Sequence, residues 1–230
     1  MRDTNRQLLV SAARLLRPLL EELVFVGGCA TGLLITDKAA PSVRATIDVD
    51  AIAEITSYSE YVRFAERLRE LGFAEDTSEG APLCRWKNGV VILDVMPLSQ
   101  EILGFSNRWY RDAMYTADVL MLERSLKIRR ITAPFFLATK LEAFKGRGGR
   151  DYFASHDLED VLSVIDGRPE LLQEVRAAPD DLRAYLALEL FALLRDSRFI
   201  DAVPGHLLPD AASQSRIPML LRRIEELTQR

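Results

Sequence analysis

The sequence predicts an α+β protein in which a mixed sheet flanked by helices is followed by a helical region. Up to about residue 132, short β-branched apolar runs alternate with helical patterns. From Ala133 onward, almost every segment repeats its apolar residues at the spacing of a helix. We therefore expect two domains, a sheet-containing core over 1–132 and a helical domain over 133–230.

The first elements follow from the spacing of apolar residues. Leucines recur at helical intervals over residues 8–23, which predicts an amphipathic first helix that Pro18 bends. The run LVFVGG predicts a short buried strand ending at the glycines, and CATGLLIT predicts a helix directly after them. The β-branched, alternating run RATIDVDAIAEI predicts the next strand.

Local signals also predict the elements that follow. Ser57 and Glu60 have the spacing of a capping box, so a helix is expected through YVRFAERLRELG, ending at Gly72. LCRWKNGVVILDVMPL predicts a hairpin that turns at Asn88-Gly89 into a core strand. A short strand pair is expected in VLMLERSLKIRRIT. Helices are then expected in PFFLATKLEAFK, SHDLEDVLSVID, PDDLRAYLALELFALLRD and RIPMLLRRIEELTQR.

Composition excludes several classes of function. The formal charge of −4 argues against a protein whose whole surface binds polyanions. Cys29 and Cys84 lack metal-ligand spacing, and a chain with only His156 and His206 cannot build a histidine-rich metal site. The N-terminus carries charges throughout and is not a signal peptide. With no membrane-spanning segment visible, we expect a reduced, cytoplasmic protein that does not bind membranes.

Three aspartates indicate a metal site because each lies in a predicted strand. Asp48 and Asp50 are two residues apart and so share one face of their strand. Adjacent carboxylates repel each other unless a cation neutralises them, and oxygen ligands suit Mg²⁺. Asp94 is the only polar side chain in VVILDVM, where a carboxylate without a partner is costly. The three together predict a magnesium site in a cleft.

Gly27 and Gly28 predict a phosphate site beside those carboxylates. At a strand-to-helix turn, glycines let a phosphate approach the backbone, and the helix N-terminus supplies N–H donors and partial positive charge. The stretch GGCATGLL lacks the GK[ST] of a P-loop, and the chain has no GxGxxG.

Each of these signals has an ordinary structural explanation when taken alone. Asp-x-Asp is common on exposed strands, a Gly-Gly pair is usually a turn, and a core aspartate can be satisfied by a neighbour. The succession of strand, glycine pair, helix, Asp-x-Asp strand and Asp-bearing strand is what favours a functional site.

This succession resembles the nucleotidyltransferase superfamily of the polymerase-β type. Its signature is matched here by Val26-Gly27-Gly28, Asp48-Val49-Asp50 and Asp94. The gap between the glycines and Asp48 is long, so an extended loop, TDKAAPSVR, is expected beside the cleft. The resemblance implies a nucleotidyltransferase-type mixed sheet whose cleft is completed by the helical domain.

A second block resembles the abortive-infection nucleotidyltransferase toxins of the AbiEii type. Those proteins carry Lys, Ala and Arg on a helix, followed by a basic-Asp-x-x-Asp element. The matching residues are Lys140, Ala143 and Arg147, then His156 in place of the basic residue, Asp157 and Asp160. A register at Arg150-Asp151 lacks the second aspartate. Lys140 and Arg147 share a helix face, which is also typical of a solvated basic surface.

The resemblance implies a two-metal transfer of a nucleoside monophosphate from an NTP, such as ATP, to a hydroxyl acceptor. The acceptor would be a tRNA 3′ end or a protein hydroxyl, and a cognate antitoxin would be a further partner. Asp94 would help to deprotonate the acceptor, Lys140 would neutralise the leaving pyrophosphate, and Asp157 would be a further catalytic residue. The ordinary explanation for Asp157 is a salt bridge that orients a basic neighbour. The implied metal ligands are Asp48, Asp50 and Asp94, and the implied nucleotide ligands are Gly27, Gly28, Thr31, Lys140 and Arg147.

Two other functions compete with a nucleotidyltransferase activity. The pair His156-Asp157 invites a metal-dependent HD phosphohydrolase, which needs an upstream histidine that this chain lacks. A non-catalytic nucleotide-binding or interaction protein of the same fold stays open, although all three aspartates are present. An RNA acceptor would favour the basic segments 127–130, 145–150 and 220–230, each equally compatible with ordinary surface charge. Trp86 and Trp109 could stack bases but are more typical of a core.

Overall fold

The structure, a computed structural model, describes residues 4–147 and 151–229. It divides into two compact units. The first contains the described residues up to Gly32 together with Arg44–Thr132, and the second contains Leu33–Val43 together with the described residues from Ala133 onward. The predicted fold class is confirmed, since the first unit carries a mixed sheet with helices and the second is helical.

The strands of the first unit form one mixed sheet. Among the described residues they are β1 Leu23–Val26, β2 Asp48–Ala53, β3 Ala74–Glu75, β4 Arg85–Asn88, β5 Val91–Pro97, β6 Asp118–Glu123 and β7 Leu126–Arg130. Their order across the sheet is β3-β4-β5-β2-β1-β7-β6. β2 runs parallel to β5 and β1 runs parallel to β7, whereas the other neighbouring pairs are antiparallel. The two strands that carry the predicted metal ligands, β2 and β5, are therefore neighbours in the middle of the sheet.

Helices accompany the sheet in the first unit. Within the described part of the chain they are α1 Thr4–Leu15, α2 Gly27–Leu34, α3 Tyr58–Glu70, α4 Gln100–Leu103 and α5 Tyr110–Tyr115. Helix α2 begins at the glycine pair itself, and its last two residues belong to the second unit. Pro18 does not bend α1, because the helix ends at Leu15 and the proline lies in the 3₁₀ turn Arg17–Leu19.

The predicted capping box starts α3. The Ser57 hydroxyl accepts a hydrogen bond from the Glu60 backbone N–H, and the Glu60 carboxylate accepts one from the Ser57 backbone N–H. Two of the backbone donors that a helix start leaves without partners are satisfied in this way. The helix ends at Glu70, and Gly72 follows with a φ of +83°, the left-handed conformation that glycine adopts at little cost.

The β4–β5 hairpin turns one residue later than the sequence predicts. Asn88 pairs with Val91, so the loop consists of Gly89 and Val90. Gly89 has a φ of +57°, which suits the first central position of a type II′ turn. The glycine therefore starts the turn, whereas the prediction had it as the second loop residue.

The side chain of Asn88 explains this register. Its amide nitrogen donates to the Leu71 carbonyl at 3.0 Å, just after the end of α3, so Asn88 is held in the strand. The shift by one residue places Arg85, rather than Leu83, opposite Asp94 on β5. The hairpin register thus determines which side chain lies opposite Asp94.

The two faces of β2 differ in burial, as the alternating sequence predicts. Val49 and Ala51 are fully buried, whereas Asp48 and Asp50 are half-buried on the opposite face. The apolar set packs into the core of the first unit, where β1 is buried along its whole length. This alternation holds the two carboxylates at the surface of a rigid central strand.

The second unit is built from helices together with the segment 33–43. Its described helices are α6 Ala133–Gly146, α7 His156–Gly167, α8 Leu171–Arg176, α9 Asp180–Leu194, α10 Ser197–Ala202, α11 Ala211–Gln214 and α12 Ile217–Thr228. The backbone N–H groups of Thr36 and Asp37 both donate to the Gly167 carbonyl at 3.0 Å. These bonds hold the segment to the end of α7. Over the described residues, we find no helix with the length and apolar character needed to cross a bilayer.

Candidate active site

Three carboxylates occupy one face of the sheet at β2 and β5. Asp50 is directly opposite Asp94 in the parallel pairing of these strands. Asp48 precedes Asp50 by two residues and so projects to the same side. The structure therefore brings the three predicted metal ligands onto one face of two adjacent central strands.

Arg85 lies among these carboxylates, and its role was not predicted from the sequence. Its guanidinium binds Asp94 through two parallel hydrogen bonds, from Nε to Oδ1 at 2.8 Å and from Nη2 to Oδ2 at 2.7 Å. The same Nη2 donates to Asp48 Oδ2 at 2.8 Å. These contacts, with that to Asp94 the strongest, raise the pKa of Arg85 above its ordinary value. The guanidinium thus joins carboxylates from two strands.

The same contacts decide how a metal would fit. The donor set suits Mg²⁺, because it consists of carboxylate oxygens on adjacent rigid strands. Yet within residues 4–147 and 151–229, no three Asp, Glu, His or Cys side chains are arranged to hold one metal ion. Arg85 supplies the positive charge between Asp48 and Asp94 instead. A divalent ion would take the place of the guanidinium at these oxygens.

Gly27 lies so close to Asp50 that any side chain there would have to displace its carboxylate. A Cβ at this position would be 1.9 Å from Asp50 Oδ2, well inside van der Waals contact. Gly27 also has a φ of +65°, which L-residues with a side chain rarely adopt. Gly27 therefore leaves room for the Asp50 carboxylate on β2 and also allows the backbone to turn into α2.

Gly28 is less constrained than Gly27. A Cβ there would be 3.0 Å from Arg44 Nη2, the far end of a flexible side chain, and 3.6 Å from Thr46 Oγ1. Thr31, the third predicted phosphate ligand in α2, is fully buried, and its hydroxyl has no hydrogen-bond partner among the described residues. In this arrangement the Thr31 hydroxyl is not presented to a ligand.

The segment before β2 is fixed by a buried asparagine. Asn5 on α1 is 3% exposed; its amide nitrogen donates to the Arg44 carbonyl at 2.8 Å, and its oxygen accepts from the Thr46 N–H at 2.9 Å. The Thr46 hydroxyl in turn donates to Asp48 Oδ1 at 2.7 Å. The orientation of Asp48 is thus supported from α1 through Thr46.

The residues of the second sequence block meet inside the second unit. Lys140 Nζ lies 2.7 Å from Asp160 Oδ2 and 3.2 Å from Asp157 Oδ1, and Arg147 Nη1 lies 2.8 Å from Asp157 Oδ2. Both carboxylates are buried, at 4% exposure for Asp157 and 2% for Asp160, whereas the Arg147 side chain is 74% exposed. Asp157 therefore pairs with two basic neighbours, and Lys140 is held by two carboxylates. His156 is exposed and contacts Glu159.

Some of the described residues considered for RNA binding are buried or make contacts within the protein. Trp86 and Trp109 are 1% and 2% exposed, so neither indole is available to stack on a base. In the segment 127–130, Arg129 donates hydrogen bonds to the Glu21 and Met114 carbonyls, so its guanidinium makes contacts within the first unit. Residues 148–150 and Arg230 lie outside the described residues, and with them part of two basic segments and the register at Arg150-Asp151.

Arg85 and Asn5 are the site residues that sequence analysis missed. For Arg85 a signal existed, because counting back from the turn of the hairpin places either residue 83 or residue 85 opposite Asp94, and only the latter is charged. For Asn5 there was none, because it acts on residues 39 to 41 positions away.

Comparison with known proteins adds similarity in backbone only. No family model matches this sequence, and no curated protein does. A solved structure of an antigenic nucleotidyltransferase-like protein from Paracoccidioides brasiliensis is similar with a TM-score of 0.49 and 20% identity, over 87% of this chain and 94% of that chain. The structure of a candidate nucleotidyltransferase from H. pylori is similar with a TM-score of 0.45 and 12% identity, over 95% of this chain and 94% of that chain. At these scores and identities, neither likeness carries an activity over to this chain.

Proposed function

We propose that this chain is a metal-dependent nucleotidyltransferase that transfers a nucleoside monophosphate from an NTP to a hydroxyl acceptor. One observation carries the proposal: Asp48, Asp50 and Asp94 share a face of adjacent central strands, and Gly27, at the start of α2, packs directly against Asp50. Carboxylates beside a helix N-terminus suit a ligand that brings both phosphate and divalent cation.

The chemistry would be an in-line displacement at the α-phosphate. The acceptor oxygen bonds to the α-phosphorus, the bond between that phosphorus and the bridging oxygen to the β-phosphate breaks, and pyrophosphate leaves. Mg²⁺, held by Asp48, Asp50 and Asp94, would supply neutralisation of the phosphate charge and a more acidic acceptor hydroxyl. Asp94 would accept the proton of that hydroxyl, and the backbone at Gly27 and Gly28 would bind phosphate oxygens.

The roles of Lys140, Arg147 and Asp157 stay part of the proposal. The order and spacing of these residues support Lys140 and Arg147 as nucleotide ligands, and their contacts support Asp157 as the residue that orients both. A tRNA 3′ end or a protein hydroxyl as acceptor, and a cognate antitoxin as partner, rest on the resemblance to AbiEii-type toxins alone.

Nucleotide binding tests the proposal directly. We expect at least one of the four NTPs to bind the wild-type protein in calorimetry in the presence of Mg²⁺, and to bind more weakly without it. Asp48→Asn/Asp50→Asn should abolish the Mg²⁺-dependent part, whereas Asp112→Asn, which changes an exposed carboxylate on α5, should leave it unchanged. The NTP that binds would then be used, labelled at the α-phosphate, to seek transfer to RNA and to protein.

One observation favours a second candidate, a nucleotide-binding or interaction protein without catalysis. Arg85 already neutralises two of the three carboxylates, as expected if no metal ever binds them. Such a protein would bind NTP equally well with and without Mg²⁺ and would transfer no label. A folded wild-type protein with that behaviour would overturn the transferase proposal.

A further inference from the structure

We propose that Arg85 is a built-in counter-cation that competes with the divalent metal for Asp48 and Asp94. The inference deepens the proposed function and rests on it, since it concerns the same carboxylates. It assigns to Arg85 control over when the site accepts metal.

The hydrogen bonds around Arg85 show why the two cations exclude each other. Both oxygens of Asp94 accept from Arg85, at 2.8 and 2.7 Å, and Asp48 Oδ2 accepts from the same guanidinium at 2.8 Å. A metal ion bound to these oxygens would lie where the guanidinium nitrogens are. Even beside them it would be repelled by a cation only a few ångströms away.

Burial makes the contact of Arg85 strong without making it permanent. Asp94 is 7% exposed, so without a cation its charge would be poorly solvated. The Arg85 side chain is 19% exposed, and its long, flexible alkyl chain allows the guanidinium to turn away from the carboxylates toward solvent. Arg85 therefore stabilises the metal-free protein and is the group that a metal must displace.

Binding of Mn²⁺, followed by electron paramagnetic resonance, tests this competition. Arg85→Gln should bind Mn²⁺ at least about tenfold more tightly than the wild type. A gain of this size needs the removal of only part of the repulsion that two unit charges exert on each other at this distance. Lys87→Gln is the matched control: it removes a positive charge two residues along the same strand face, where Lys87 pairs with Asp76. Its affinity should stay within about twofold of the wild type, since Lys87 contacts neither Asp48 nor Asp94.

The outcomes separate this inference from the proposed function. Equal Mn²⁺ affinity in the wild type and Arg85→Gln would overturn the competition while leaving the metal site standing. An equal gain in Lys87→Gln would also overturn it, because the effect would then be one of net charge. If none of these proteins binds Mn²⁺, the proposed metal site and the inference are both overturned. The same holds if the double variant Arg85→Gln/Asp94→Asn binds Mn²⁺ as tightly as Arg85→Gln does.

A measurement on the wild type keeps the inference testable should Arg85→Gln not fold. The Nε–H resonance of Arg85, assigned by its loss in Arg85→Lys, should shift during a titration with Mg²⁺ as the guanidinium leaves Asp94. Arg85→Lys keeps the charge but not the paired hydrogen bonds, so its Mn²⁺ affinity should lie between those of wild type and Arg85→Gln. A resonance that stays unchanged when the metal site is saturated would overturn the competition.

Discussion

At the scale of single residues, the strictest requirement falls on Gly27. Its backbone is left-handed, and the space that a side chain would need is filled by Asp50 Oδ2. Either condition alone would favour glycine, and a substitution meets both at once. The glycine at position 27 therefore has a structural reason in the metal-free protein, before any phosphate is considered.

Gly27→Ala should lower the free energy of unfolding by about 2 kcal/mol or more, because the left-handed conformation alone costs about 1–2 kcal/mol for an L-residue. Displacement of Asp50 adds to that cost, so the variant should also lose any metal affinity of the site. Urea denaturation measures the first effect and Mn²⁺ titration the second.

Gly28→Ala provides the matched control for Gly27→Ala. A Cβ at Gly28 meets only the movable end of Arg44 at 3.0 Å, and alanine is a better helix former than glycine by about 1 kcal/mol. The stability of this variant should stay within about 1 kcal/mol of the wild type. Equal losses in the two variants would mean that the contact with Asp50 has no energetic weight.

At the scale of elements, the site depends on registers that join distant parts of the chain. The Asp-x-Asp strand, the capping box and the Asp-bearing core strand were predictable, because each is written in spacing within a few residues. The turn of the β4–β5 hairpin was predicted one residue too early. The preference of Asn-Gly for a turn was outweighed by the hydrogen bond from Asn88 to the Leu71 carbonyl, which joins residues 17 positions apart. Local patterns do not encode such bonds.

Helix α1 should control the segment that leads into β2. Asn5→Ala removes two hydrogen bonds and leaves the Arg44 carbonyl and the Thr46 N–H without these partners. Because an unsatisfied buried polar group costs about 1–3 kcal/mol, we expect a loss of about 2–4 kcal/mol in the free energy of unfolding, measured by urea denaturation.

Ser11→Ala is the control on the same helix, since the Ser11 hydroxyl is exposed and donates only to the Gln7 carbonyl. Its stability should remain within about 0.5 kcal/mol of the wild type. If Asn5→Ala were equally mild, the segment before β2 would be held by contacts other than Asn5.

At the scale of the whole molecule, the division into a sheet-bearing and a helical unit rests on two different signals. The change from alternating to helical periodicity near residue 132 is visible along the chain. The position of residues 33–43 in the helical unit is not visible in the sequence pattern. It depends on hydrogen bonds to Gly167 and Arg216, which are more than a hundred residues away. Those bonds also predict how the second unit responds to acid.

The ion pair between Asp37 and Arg216 should make part of the stability depend on pH. The hydrogen bond from Arg216, at 2.8 Å, followed by that from the Ala39 N–H, lowers the pKa of Asp37 below its ordinary value of 3.8. A carboxyl group whose pKa is depressed by folding contributes stability above its unfolded pKa, and that contribution is lost as the pH falls through the folded value. Asp37→Asn should therefore unfold at a lower temperature than the wild type at pH 7, by an amount equivalent to about 1–2 kcal/mol.

The difference in Tm between Asp37→Asn and the wild type should narrow as the pH falls from 3.8 through the lower pKa of the folded state, because the wild-type carboxyl group is then neutralised in both states. Calorimetric scans between pH 7 and about pH 2.5 would follow this convergence. Asp201→Asn, which changes an exposed carboxylate on α10 of the same unit, should match the wild type in Tm at neutral pH. A gap that stayed constant into acid would show that Asp37 acts through its shape and its bond to Ala39, and that its charge adds nothing to the attachment of residues 33–43.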